Sequence, residues 1–317
     1  MHKENTATAE ADVLLLLLLL FKKVISSVKR TNLKRKIPFS FCLFSSIIEM
    51  VSQHLQKGGI IIITTILALF ILGFGVGTFG TLVGIGGGII LIPIFVLIMN
   101  YTPQHAVGTS LTIVLMNAIS GTYAYIKQKK IFYDAGIKFA IATIPGAFLG
   151  SYLAEYFTGS SFRLTFGIFL MCISALMFFR SSPKGTSPEF DKETFTYNRT
   201  LGITVSAGVG FLSSILGIGG GIIHVPIMIY ALGFPTHIAT ATSQFVLAVS
   251  SLSGVASHLI IGNVLLMPAI TIGLGAIAGA QFGAALSLKT KSKSIIVLLS
   301  LALFALGLRL ALTAGTN

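Results

Sequence analysis

The chain has 317 residues, of which 54% are hydrophobic and 10% charged, with a mean hydropathy of +0.92; soluble domains carry about 25% charged residues. Its net charge of +13 comes from basic residues gathered before residue 58 and in short loops, a positive-inside pattern and not a nucleic-acid signal. Apolar runs longer than the roughly 18 residues of a span predict an all-α polytopic membrane protein and exclude a β-barrel, whose strands are short and alternate.

Residues 1–58 differ from the rest. The apolar run Val13 to Phe21 is too short to span. Its basic cluster (Lys22, Lys23, Lys29, Arg30, Lys34, Arg35, Lys36) follows it, the reverse of a secretory signal. A second short run, Ile37 to Val51, holds Glu49. Two readings stand: a basic anchor on the membrane surface, or a translation start at Met50. Five apolar segments follow, at 59–82, 84–100, 104–126, 134–154 and 162–180, making a transmembrane repeat over 59–180. A polar linker, 181–198, leads to five more, at 199–216, 217–232, 237–261, 264–286 and 294–313, a second repeat over 199–313.

The repeats are visible as sequence. Gly84-Ile85-Gly86-Gly87-Gly88-Ile89-Ile90-Leu91-Ile92-Pro93 returns as Gly217-Ile218-Gly219-Gly220-Gly221-Ile222-Ile223-His224-Val225-Pro226, at an offset of 133 residues. Thr109-Ser110 answers to Thr242-Ser243, and His105 to His237. A self-match of this length marks an internal duplication. The basic loop of the first half (Lys127, Lys129, Lys130) follows its third segment, whereas that of the second (Lys289, Lys291, Lys293) follows its fourth. With basic loops inside, five crossings per half give two inverted repeats, a common transporter plan. An eight-span parallel arrangement remains open.

The glycine motif has two readings. Gly84 and Gly88, or Gly217 and Gly221, are spaced four apart, which lets helices approach closely. Three consecutive glycines are more than packing needs, and each weakens a helix by about 1 kcal/mol relative to Ala. With Pro93 or Pro226 behind them, they read as an unwound stretch opening a new helix, the prolines marking the break. Such a helix start presents N–H groups to a small anion. A nucleotide site is excluded: a dinucleotide fingerprint needs glycine where Ile89 stands, and no Gly-Lys-Ser/Thr follows.

No acidic residue falls in the middle of a span, which argues against a cation carrier. The spans hold neutral donors instead: Thr109, Ser110, Asn117, Thr242, Ser243, Gln244 and Ser250. The candidate anion site is therefore Gly84, Gly86, Gly87, Gly88, Thr109 and Ser110 with Gly217, Gly219, Gly220, Gly221, Thr242, Ser243 and Gln244. Without carboxylates, His224, His105 and His237 are the candidates for proton coupling; His224 replaces Leu91 and breaks the internal symmetry. Cys42 and Cys172 have no metal-ligand spacing, and Cys172 is expected to be a packed small hydrophobe. No metal, cofactor, nucleic acid or catalytic set is expected; the partners are the lipid bilayer and the anion, with the oligomeric state open.

The doubled Gly-x-Gly-Gly-Gly-(x)4-Pro motif with its Thr-Ser pairs resembles the TauE/SafE sulfite exporter family, also called 4-toluene sulfonate uptake permeases, over residues 59–312. The resemblance implies carriage of a small sulfur oxyanion or organosulfonate across the cytoplasmic membrane by a multi-pass permease. His224 departs from the first copy of the motif, and residues 1–58 have no counterpart in the resemblance. Together these readings predict a secondary transporter working by alternating access, with an uncoupled anion channel or passive exporter as the alternative.

Overall fold

The computed structural model describes residues 60–154, 156, 159–179, 195–288, and positions 304, 307, 308, 311 and 312. The extension 1–58 with Met50 and Cys42, most of the linker, Glu155, the lysines at 289, 291 and 293, and nearly all of the segment 294–313 lie outside the described residues. Ile60–Ala68 belongs to one compact unit and Leu69 onwards to a second.

The described residues form helices joined by short loops, with no strand among them. In chain order they form α1 (Ile60–Val83), α2 (Gly88–Pro93, running into a π-helical turn at Ile94–Ile98), α3 (Pro103–Lys127), α4 (Tyr133–Ala154) and α5 (Gly159–Phe179). The second half continues with α6 (Arg199–Leu216), α7 (Gly221–Tyr230), α8 (Thr236–Ile261) and α9 (Leu266–Ser287). Five are long and apolar enough to cross a membrane: Thr64–Val83 of α1, and α4, α6, α8 and α9. Helix α3 is as long, but it spends its polar residues inward, where Thr109, Ser110 and Asn117 are buried. Large apolar side chains such as Ile141, Leu149 and Met267 face outward, more than half exposed. That is the inverse of a soluble surface and suits lipid.

Local signals set the ends. Asn198 Oδ1 accepts from Leu201 N at 3.0 Å and starts α6, and Gly217, at φ +69°, stops it. Thr102 caps α3 ahead of Pro103 in its first turn. Before α4, Tyr197 donates to Asp134 Oδ2 at 2.8 Å. Burial and that carboxylate push the phenol pKa up, so it stays a donor.

Inside the second unit, small residues let backbones touch. Helix α4 lies along α6, where a Cβ on Gly146, Gly150 or Gly210 would meet Ala207 O, Phe211 O or Thr143 O at 2.2–2.3 Å. Helix α9 meets the part of α1 after Leu69 in the same way: a Cβ on Gly279 or Gly283 would meet Phe74 O or Thr78 O at 2.2 Å, and one on Gly77 would meet Ala276 O at 2.4 Å. Each of these contacts has its counterpart 133 residues away in the other half. Helix α3 packs on both α8 and α9, and α8 on α4.

Two expectations are corrected here. Pro93 and Pro226 do not mark the helix breaks: both lie inside helices that start at Gly88 and Gly221. The glycines make the breaks, and the prolines loosen the helix that follows. After Pro93, Met99 N reaches back five residues to Ile94 O, and after Pro226, Leu232 N does the same to Ile227 O. Cys172 is not packed but exposed on α5; facing lipid costs a small apolar thiol nothing.

Two glycines on α6 separate packing from propensity. Gly208 has nothing within 4 Å of a Cβ position, whereas Gly210 sits against Thr143 O. Gly208→Ala should hold or raise the melting temperature in detergent, by up to about 1 kcal/mol of helix propensity. Gly210→Ala should lower it by about 2 kcal/mol or more through overpacking. Equal effects of the two would show that α4 and α6 do not meet there.

Candidate functional site

Between α1 and α2, and again between α6 and α7, the chain leaves the helical path. Gly84, Gly86 and Gly87 have φ of +79°, +84° and +84°; Gly217, Gly219 and Gly220 have +69°, +75° and +72°. L-residues rarely adopt this region and glycine does so freely. Gly87 and Gly220 occupy the N-cap positions of α2 and α7, a place where the usual polar cap is replaced by backbone geometry. The first loop folds back on its own helix: Gly84 N donates to Thr81 O, and Ile85 N and Gly86 N to Gly80 O.

The two loops are in contact, and the contact is reciprocal. A Cβ on Gly88 would lie 2.7 Å from Gly217 O; one on Gly221 would lie 2.4 Å from Gly84 O. Ser110 Oγ donates to that Gly217 O at 2.9 Å, and Ser243 Oγ to Gly84 O at 3.2 Å. Gly86 and Gly219 both press on Val114 of α3 and Leu247 of α8. Each half thus supplies a serine that fixes the other half's glycine loop. All of these residues are buried.

The paired threonines make a second reciprocal set. Thr109 Oγ1 accepts from Leu265 N at 3.1 Å, just before α9; Thr242 Oγ1 accepts from Phe132 N at 3.0 Å, just before α4. The loop that enters the fourth helix of one half is therefore held by the third helix of the other.

Gln244 stands elsewhere, in a polar cluster on the first half's side. Its Nε2 donates to Thr81 Oγ1 at 3.3 Å, and Thr81 Oγ1 donates to Asn117 Oδ1 at 3.1 Å. Asn117 Nδ2 reaches Gly86 O at 3.4 Å, and Tyr125 O–H donates to Thr81 O at 2.8 Å. The buried Gln244 Oε1 makes no hydrogen bond. Thr81 and Tyr125 were not singled out in the sequence, although an apolar helix carrying one inward polar residue per few turns was the available signal.

The histidines separate. His224 is buried, its Nε2 3.0 Å from Ser206 Oγ and its ring stacked at 6.5 Å on Phe139. Ser206 Oγ also lies 2.7 Å from Gly202 O, so one hydroxyl bridges the imidazole and the backbone of α6. His105 Nδ1 lies 3.3 Å from Asn263 O at the start of α3, and His237 is exposed at the start of α8. The structure does not bring these three together. Among the described residues no group of three His, Cys, Asp or Glu could hold a metal. A cavity of about 430 Å³ lies along the end of α6, walled mostly by apolar residues such as Leu153, Phe169, Phe211 and Leu216, the residue before Gly217.

The family model for "Sulfite exporter TauE/SafE" matches residues 69–310, more than half of the chain. The chain belongs to this family. Among its relatives, the probable membrane transporter protein YunE of Bacillus subtilis is 35% identical over 261 residues, covering 76% of this chain and 96% of that protein. The probable membrane transporter protein YfcA of Escherichia coli K12 is 25% identical over 221 residues, covering 69% and 80%. No solved structure matches the chain. This TauE/SafE protein is accordingly a membrane transporter with several spanning helices.

The threonine contacts give a stability test. Thr242→Val keeps the shape but leaves Phe132 N without its hydroxyl acceptor, and Thr109→Val does the same to Leu265 N. Each should cost about 1–3 kcal/mol, read as a drop in melting temperature. The two losses should add, because the sites share no partner. Unchanged melting of both single variants would remove the threonines from the framework.

Proposed function

We propose that this TauE/SafE protein is a secondary transporter of a small anion, a sulfur oxyanion or organosulfonate, with its site at the paired glycine loops and the halves inverted across the cytoplasmic membrane. The observation that carries this is the reciprocal contact of the loops. Because Gly88 rests on Gly217 O and Gly221 on Gly84 O, any rocking of one half against the other changes both contacts at once. That coupling is what alternating access around a central site requires. The family's name supports a sulfur-containing substrate. The helix starts at Gly88 and Gly221 and the neutral side chains around them favour an anion of low charge.

In this reading the glycines supply the binding surface, and Ser110 and Ser243, whose O–H groups point at the opposite loop's carbonyl, position it. Thr109 and Thr242 hold the frame. Gln244, with its unpartnered Oε1, borders the first loop through Thr81. His224 is the coupling candidate, because it alone of the three histidines is buried next to a glycine loop, with a hydroxyl on its ring nitrogen.

The test is sulfite and sulfoacetate flux in proteoliposomes. Gly87→Val and Gly220→Val force a branched side chain into a left-handed backbone, with Val76 Cγ1 at 2.5 Å and Val209 Cγ1 at 2.9 Å of the new Cβ. Both should insert and be transport-dead; wild-type flux from either sinks the glycine-loop site. His224→Leu restores the residue of the first repeat. It should abolish stimulation by a proton gradient while leaving anion counterflow. Retained stimulation would take His224 out of the coupling.

A further inference from the structure

The two halves share a backbone plan, and their polar interiors differ. In the first half the position one turn before the glycine loop is Gly80, whose missing Cβ would fall 2.6 Å from Gly87 N, so backbone seals the start of α2. Its repeat equivalent is Ser213. Ser213 is fully buried, and its Oγ sits 3.5 Å from where a Cβ on Gly220 would stand, at the cap of the ten-residue helix α7. That hydroxyl has no hydrogen-bond partner.

The neighbouring positions repeat the contrast. Thr81 and Asn117 bond to each other at 3.1 Å in the first cluster, and Gln244 joins them from α8, its Oε1, an acceptor only, left without a partner. Their equivalents are Ser214 and Ser250, both shorter, and Gln244 is answered by the apolar Leu111, which lies against Gly254. Ser214 and Ser250 are 1% and 2% exposed, and neither hydroxyl has a partner. Ser214 Oγ lies 2.9 Å from the Cβ position of Gly254, one turn along α8 from Ser250. One turn further, His258 Nε2 is 3.4 Å from Ser214 O. The second half thus carries three buried, unpartnered hydroxyls where the first half is sealed or paired. A buried hydroxyl without a partner costs about 1–3 kcal/mol; Ser213 beside the start of α7, and its chain neighbour Ser214 facing α8 one turn from Ser250, mark a place where something else completes the bonding.

We propose that the anion site is one-sided: Ser213, Ser214 and Ser250 donate to a small oxyanion of low charge at the start of α7, and the first-half copy is a closed structural counterpart. This rests on the anion-carrier reading above and adds the residues that would grip the substrate. Hydroxyl donors and a helix N-terminus, with no Lys, Arg, Asp or Glu among these groups, suit an oxyanion that is not heavily charged.

The experiment is thermal stabilisation of the full-length purified protein by sulfite and by sulfoacetate, titrated to half-saturation. The decisive variant, Ser214→Thr with Ser250→Asn, rebuilds the closed Thr81–Asn117 pair of the first half. It should melt at or above the wild-type temperature without ligand and lose the anion-induced shift. Ser213→Ala and Ser250→Ala should each raise the half-saturating concentration about tenfold or more, whereas Ser250→Thr, which keeps the hydroxyl, should stay within about threefold. If the wild type shifts with anion and these variants shift equally, the one-sided site is overturned while the anion reading stands. If the serine variants change only the ligand-free melting temperature, the hydroxyls hold structural water and the proposal fails. If no anion shifts the wild type, the anion reading itself falls and this inference with it. Should the double variant not fold, the two alanine variants decide.

Discussion

Everything in the second unit depends on two glycine loops that rest on each other. A helix start normally needs its N–H groups capped by side chain or water. Here the caps are Gly87 and Gly220 in left-handed geometry, and the space where their neighbours would carry Cβ atoms is occupied by the opposite loop's carbonyl. Any side chain at Gly88 or Gly221 would push the halves apart. The carbonyls so approached, Gly217 O and Gly84 O, are then satisfied by Ser110 and Ser243. Close approach and hydrogen bonding are one constraint, and it explains why glycine triplet and serine occur together in both repeats.

That constraint spreads outward through exchange. The third helix of each half holds, through Thr109 or Thr242, the loop leading into the fourth helix of the other. The fourth helices α4 and α9 in turn lie on the first helices α6 and α1 of the opposite half through small residues. In a lipid environment, with no hydrophobic drive between helices, such close backbone contact supplies the association. Neither half is therefore a self-contained bundle in this structure. The centre is an interface, which is where a carrier built from two repeats would place its substrate.

Much of this was legible in the sequence. The segment expected at 199–216 coincides with α6, because Asn198 and Gly217 are standard start and stop residues. The second short segment was placed from 217, and α7 starts at 221, because three glycines with positive φ hold the chain out of the helix until their run ends. The prolines were misplaced for a related reason: a helix that starts on glycine leaves the proline in its interior, where it produces the five-residue reach-back to Ile94 O and Ile227 O. The partners of Thr109 and Thr242 were not legible, since no local pattern announces an acceptor for a backbone N–H more than a hundred residues away. Spacing showed that the Thr-Ser pair is doubled; only packing shows which atoms it serves.

The differences between the repeats carry information that the similarities cannot. Leu91, Gly73 and Ile272 are answered by His224, Ser206 and Phe139, three changes that make sense only together. A buried imidazole needs a polar partner, which Ser206 provides, and an apolar wall, which Phe139 provides by stacking. In the first half the same place is filled by Leu91, and Gly73 instead allows α1 to touch Ile272 O. The reciprocal contacts fix the backbone of both halves, because they fail unless both keep them. Side chains that do not take part in those contacts are free to diverge, and they have diverged toward polarity on the side of α7. A solute at the centre would therefore meet the start of α7 set among hydroxyls, with the same geometry at α2 closed by backbone, which is how a symmetric scaffold can hold an asymmetric ligand.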